Sequence, residues 1–215
     1  MTLLHKAAFH WYTGGEVLRM SGADKEKFKN MILFFSHRLP GIPKVKLAKM
    51  LYYSDFGHFK AQGKSISGAD YIHLEFGPCP KIFDVFLNNL AEGGALEVIP
   101  KTFHPRCAEP KDYFTFTAKQ KPDMKLFNLG EISTMESVFE KYRRMSGQKL
   151  SEKSHAELPW KATRPQQTIP YNLILYDDHT TPSEPEDSVF AKSPELRKLV
   201  DTVKAKRKRR TLATT

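Results

Sequence analysis

Two cysteines in 215 residues, Cys79 and Cys107, are too few for a disulfide framework or a four-thiolate zinc site. A reducing compartment would keep both as thiols, and they read as structural or surface residues. Long apolar runs are also scarce. The longest, Met31 to Phe35, falls far below the roughly 20 residues needed to span a bilayer, so no membrane association is expected. The opening residues MTLLHKAAFHWYTGG put a histidine and a lysine where a secretory signal needs apolar residues, and no small-residue cleavage pattern follows. The chain is expected to work in the cytoplasm. No repeat of 20 to 50 residues is visible, which argues against a solenoid. A Gly-rich phosphate loop, a Gly-x-Ser-x-Gly elbow and a His-Glu-x-x-His pair are all missing, so no enzyme and no cofactor is expected.

What is present is positive charge. The formal net charge is +10, and residues 178–215 supply nine Lys/Arg against six Asp/Glu, which leaves 25 against 18 for residues 1–177. The folded part is therefore basic in its own right. A field of that sign attracts acidic proteins and nucleic acids alike, so charge alone does not choose the partner.

Apolar periodicity divides the rest. Phe28, Met31, Ile32 and Phe35 recur at helical spacing over Asp24 to Arg38, and Leu39-Pro40-Gly41 ends that pattern. Pro43 suits the opening of a second helix, which runs to about Gln62 and stops at Gly63, a residue fitted to a left-handed helix end. Tyr71 to Phe76 alternates in the period-two manner of a short extended segment, closed by Gly77-Pro78. A helix is predicted over Pro80 to Ala91, broken by Gly93-Gly94, and two short strands over Ala95 to Pro100 and Tyr113 to Thr117. Glu131 to Met145 and Leu150 to Leu158 read as helices, Pro159 to Pro170 as irregular, and Tyr171 to Tyr176 as a brief apolar closing segment.

The fold class is thus mainly α with a small β component. A compact helical domain carries a short β-hairpin, like the wing of a winged helix, and a C-terminal helical, basic tail follows. The expected boundaries are an N-terminal extension over 1–23, the domain over 24–177, a disordered linker over 178–192, and an amphipathic helix with a basic end over 193–215.

The second helix, Lys46-Leu-Ala-Lys-Met-Leu-Tyr-Tyr-Ser-Asp-Phe-Gly-His-Phe-Lys, with Gly63-Lys-Ser-Ile-Ser-Gly after it, resembles the signature of the SocA-like Panacea antitoxin domain. The likeness continues at Tyr71 and Gly77-Pro78-Cys79-Pro80-Lys81, where the family typically shows a Gly-Pro-Val-Pro type turn. It closes at Ser151-Glu-Lys-Ser-His, Pro159-Trp160 and Ile169-Pro170-Tyr171, covering roughly residues 24–177. The resemblance implies a mainly helical domain that neutralises a protein toxin encoded by an adjacent gene in a bacterium or phage. It implies no enzyme chemistry.

Lys46, Lys49, Tyr52, Tyr53, Phe59 and Lys60 interleave cations with aromatics on the second helix and are the candidate toxin interface, alongside core packing as the alternative. In the tail, Leu196, Leu199, Val200 and Val203 form a narrow apolar stripe before KAKRKRR, and are candidates for docking on the toxin. Gly63, Gly68, Gly77, Pro78 and Trp160 are read as structural. Asp55 shares a face with apolar neighbours and needs a partner. The expected ones are a tyrosine hydroxyl or backbone N–H groups of the loop from Gly63 to Gly68. Asp55 with His58 falls short of a zinc ligand set, and neither His104 with Cys107 nor His5 with His10 completes one, so no metal is expected.

The rival reading is a winged-helix regulator of its own operon, with operator DNA as the partner. Its reading helix would be Pro80 to Ala91, which offers only Lys81, Asn88 and Asn89 for base contacts, beside Asp84.

Overall fold

The computed structural model describes residues 22–103 and 109–177. Helix α1 (Gly22–Arg38) buries Phe28 and nearly every residue from Asn30 to Ser36, and a turn through Gly41, at φ +76°, ends it. Two residues, Ile42–Pro43, form strand β1. Pro43 then leads into α2 (Lys44–Gln62) with extended backbone, and Gly63 closes that helix in the left-handed region, its N–H donating to Phe59 O at 2.8 Å. Helix α2 is the axis of the molecule. Twelve of its nineteen residues are buried, on every side, because α1, α4, α5 and the hairpin β2–β3 surround it.

Strands β2 (Tyr71–Leu74) and β3 (Gly77–Pro80) pair antiparallel in register Tyr71 with Pro80 to Leu74 with Gly77. From sequence the extended segment closes at Gly77-Pro78. The structure instead makes that stretch a second strand, with Pro78 and Pro80 lacking the N–H groups that would extend the ladder. On its other side β2 is lined by residues 166–169, through His73 N to Gln167 O and Ile169 N to Tyr71 O. Because Pro80 is tied into β3, helix α3 begins three residues later than expected, at Phe83, and runs to Glu92.

Strands β4 (Leu96–Phe103) and β5 (Lys111–Ala118) form the expected hairpin, and β1 joins it to give a sheet ordered β1-β5-β4. Helix α4 (Leu129–Tyr142) opens with a capping box between Asn128 and Glu131, and α5 (Gly147–Ala156) with the Ser146 side chain. A short α6 (Leu158–Lys161), which runs into the stretch read as irregular, carries Pro159 in its first turn, and a 3-10 turn spans Tyr171–Tyr176. No helix among the described residues is long and apolar enough to cross a membrane.

Candidate functional site

The polar residues of α2 are held inside by specific partners. Lys46 Nζ donates to Arg143 O at 2.7 Å, at the end of α4, and Lys49 Nζ donates to Pro78 O at 2.6 Å in β3. His58 Nδ1 lies 3.0 Å from Thr134 Oγ1 of α4. Asp55 is wholly buried. It accepts from Ser67 N at 2.8 Å, Ser67 Oγ at 2.6 Å and the Tyr71 hydroxyl at 2.7 Å, three bonds that work against the upward push of burial on its pKa.

The six expected interface residues of α2 accordingly divide. Lys46, Lys49, Tyr52 and Tyr53 are buried, whereas Phe59 and Lys60 are half-buried near the C-terminal end. Burial is extreme at Lys49, 1% exposed, and it lowers the ammonium pKa to about 8. An amino group bonded to a carbonyl in the interior is in no position to grip a partner, so Lys49 is corrected to a core residue that pins β3 on α2, and Lys46 to one that pins the end of α4. Cys79 sits beside Lys49, and burial pushes its thiol up to about 11, which leaves it a poor nucleophile.

A cleft opens on this framework. It encloses about 260 Å³ between α2, α4, α5 and the 3-10 turn, and Tyr52, Tyr53, Phe56 and Tyr142 form its aromatic lining. The Tyr53 and Tyr142 rings pack tilted against each other, with centroids 4.5 Å apart. Lys60, Lys141 and Lys153 bring three cations to it, and Thr134 and Ser137 bring hydroxyls. At its base the Tyr52 hydroxyl donates to Glu157 Oε2 at 2.9 Å. Burial raises the Glu157 pKa to about 7; the Tyr52 bond pulls it down, Asp177 pushes it up, and Lys153 pulls it down again. The carboxyl is thus divided between its charged and neutral forms near neutrality.

Glu157, Lys141, Lys153 and Tyr142 carry no mark in the sequence of a place at this cleft. All four lie in helices or turns far from α2 in sequence, and only the docking of α4 and α5 onto α2 brings them to Tyr52. A lone Glu before Leu-Pro-Trp carries no local signal of its burial.

The residues read as structural sit at tight points. Gly77 has φ +90°, and a Cβ there would meet Ser154 Oγ and Lys49 Nζ. Pro78 supplies the carbonyl that holds Lys49. Trp160 donates from Nε1 to Leu74 O at 3.2 Å and stacks between His73 and His155, at centroid distances of 4.2 and 4.1 Å. Gly63 and Gly68 both take positive φ, and Gly68 N donates to Ser65 Oγ. Leu196, Leu199, Val200 and Val203 lie outside the described residues, as do the 178–192 linker, His104 and Cys107. Among the described residues, no three His, Cys, Asp or Glu are grouped as metal ligands would be.

Residues 47–161 match the family model described as Antitoxin SocA-like, Panacea domain. No curated protein and no solved structure matches the chain.

Proposed function

The chain belongs to the SocA-like Panacea antitoxin family, and on that basis we propose that it neutralises a protein toxin by direct binding in the cytoplasm, with the α2–α4–α5 cleft as its gripping surface. The observation that carries this reading is the cleft's chemistry, a tyrosine floor with Lys60, Lys141 and Lys153 around it. The packed aromatic side chains give the cleft a rigid floor, and the cations around it select an acidic partner segment and speed its approach. Tyr52 and Tyr53 act as a rigid floor, and Phe59 with Lys60 extends the surface along α2. The partner is the product of an adjacent gene. The tail stripe Leu196, Leu199, Val200 and Val203 docks as a second element on the same toxin.

Growth rescue tests the surface. Wild-type chain should restore growth of cells expressing the adjacent reading frame, and Lys141→Glu with Lys153→Glu should abolish rescue while leaving the melting temperature within a few degrees. Full rescue by the double variant would remove the cleft from the interface.

A second reading has one observation in its favour. The order α1-β1-α2-α3-β4-β5 with sheet order β1-β5-β4 would fit a winged helix carrying the hairpin β2–β3 as an insertion before α3. It supports a repressor of the chain's own operon. The exposed residues of α3 include Asp84, Asn89 and Glu92, and two carboxylates there would face phosphates unfavourably. A gel-shift with the upstream DNA at physiological salt decides it, and a sequence-specific shift would favour the regulator.

A further inference from the structure

Gly57 is costly to the fold. It stands inside α2, more than a turn from either end, where a residue with no side chain makes a weaker helix than alanine would. Nothing in the fold asks for it. Its φ is not in the left-handed region, and a Cβ added to it would meet no atom within 4 Å. Alanine would therefore fit the folded chain and suit the helix better. Gly57 is exposed although Phe56 and His58 on either side are buried, and the bare backbone it uncovers is part of the cleft wall.

A second cost lies one turn back. Tyr53 is 8% exposed, and its ring packs against Tyr52 and Tyr142 at centroid distances of 5.2 and 4.5 Å, which fixes where the hydroxyl sits. That hydroxyl is buried and makes no hydrogen bond of ordinary length. Glu157, the charged group that bears on it most strongly, already accepts from Tyr52 through Oε2. A buried donor left unpaired is one that the fold alone would be better without. Tyr53 and Glu157 both line the cleft, so an acceptor can reach this hydroxyl from outside.

We propose that Gly57 and Tyr53 form the seat of an extended acidic segment of a partner protein. Its backbone lies against the bare surface of α2 at Gly57, one of its carbonyl groups accepts from the Tyr53 hydroxyl, and its carboxylates reach Lys141 and Lys153 on the rim. One helical turn, about 5.4 Å, separates the two positions along α2, so a short extended segment meets both. Backbone recognition explains the glycine, since any side chain there would hold the segment off. A carbonyl also suits Tyr53 better than a carboxylate does, because a second carboxylate beside Glu157 would be repelled. Two neighbouring positions thus carry costs that the fold leaves uncompensated and that an occupant would repay. The inference rests on the cleft as a partner surface, and not on that partner being a toxin.

NMR of the nitrogen-15 full chain tests the seat with a defined probe, the acetylated and amidated peptide Glu-Ala-Asp-Ala-Glu-Ala. At low millimolar concentration it should shift the amide signals of Gly57 and its cleft neighbours, whereas the peptide with Gln and Asn in place of the acids should shift them several-fold less. Gly57→Ala and Tyr53→Phe should each melt at or above the wild-type temperature, yet bind the peptide several-fold more weakly. Gly57→Leu, which fills the wall, should abolish the shifts. A purely structural role predicts the reverse, a lower melting temperature with peptide affinity unchanged, and that result overturns the proposal. So does the absence of shifts, or shifts confined to Lys141 and Lys153 that ignore the substitutions. Shifts at Gly57 that grow with protein concentration and no peptide would make a second copy the occupant and overturn it as well. Growth rescue reads the toxin separately: rescue by a chain that shows no seat sinks this inference alone, and a seat without rescue sinks only the toxin reading.

Discussion

Tyr71, in the first position of β2, donates its hydroxyl to Asp55 Oδ2 at 2.7 Å and so ties the hairpin to the middle of α2. The same carboxylate holds Ser67 through both its N–H and its hydroxyl. One buried side chain therefore fixes the path of the connection from Gly63 to β2.

Asp55→Ala should cost about 1 to 3 kcal/mol of stability, the usual penalty for stranding buried donors. Tyr71→Phe should cost less, since it leaves the two Ser67 bonds in place. Urea unfolding of both single variants and the double variant should show coupling between the sites. If Asp55→Ala unfolds like wild type but no longer protects cells, Asp55 belongs to the toxin interface.

The buried Glu157 makes stability depend on pH. Its folded pKa of about 7 lies above the ordinary 4.5, so the folded state holds the proton more tightly than the unfolded chain. This contribution is fully present below pH 4.5 and is lost as pH rises to 7, at about 1.4 kcal/mol per unit of difference. Burial lowers the pKa values of His58, His73 and His155, which gives an opposite slope in the same range. The comparison is therefore made between proteins: Glu157→Gln should gain stability relative to wild type as pH goes from 5 to 7.5. A constant difference across that range would show that Glu157 ionises normally.

Gly77→Ala should destabilise the domain by roughly 2 to 5 kcal/mol, combining a left-handed backbone with a crowded Cβ. The positive φ and the approach of Ser154 and Lys49 act together here. Gly63→Ala, at φ +72° with open space around its Cβ, should cost clearly less. Equal losses in thermal unfolding would mean that the Lys49–Ser154 packing contributes nothing.

The difference between these two glycines marks how far the sequence could be read. Gly63 follows a long helical pattern, so its role as a helix end is local and legible. The crowding at Gly77 depends on Lys49 and Ser154, 28 and 77 residues away, and no local pattern announces it. Likewise the need of Asp55 for a partner follows from its apolar face, but Tyr71 as that partner follows only from the placement of β2. Alternating cations and aromatics on α2 are compatible with an interface or with core packing, and the surrounding elements turn much of that pattern inward. The cleft was illegible because Lys141, Lys153 and Glu157 meet α2 only through tertiary docking.

Removal of residues 193–215 should leave thermal unfolding unchanged, since the described domain ends before them. If the stripe Leu196, Leu199, Val200 and Val203 docks on the toxin, the truncated chain should dissociate from it faster, by tenfold or more, and lose rescue. If the basic run only steers the encounter, association should slow and its salt dependence flatten while dissociation stays the same. Dissociation rates at two salt concentrations separate the two, and an unchanged off-rate removes the docking role.

The central claim is that this chain works by holding a toxin in a stoichiometric complex. Its most direct test is native mass spectrometry of the chain co-expressed and purified with the adjacent gene product, under conditions in which that product alone stops growth. The account predicts a discrete complex with a fixed ratio of the two chains, absent when Lys141 and Lys153 are both changed to Glu. Rescue of growth with no complex detectable at micromolar concentration would contradict it.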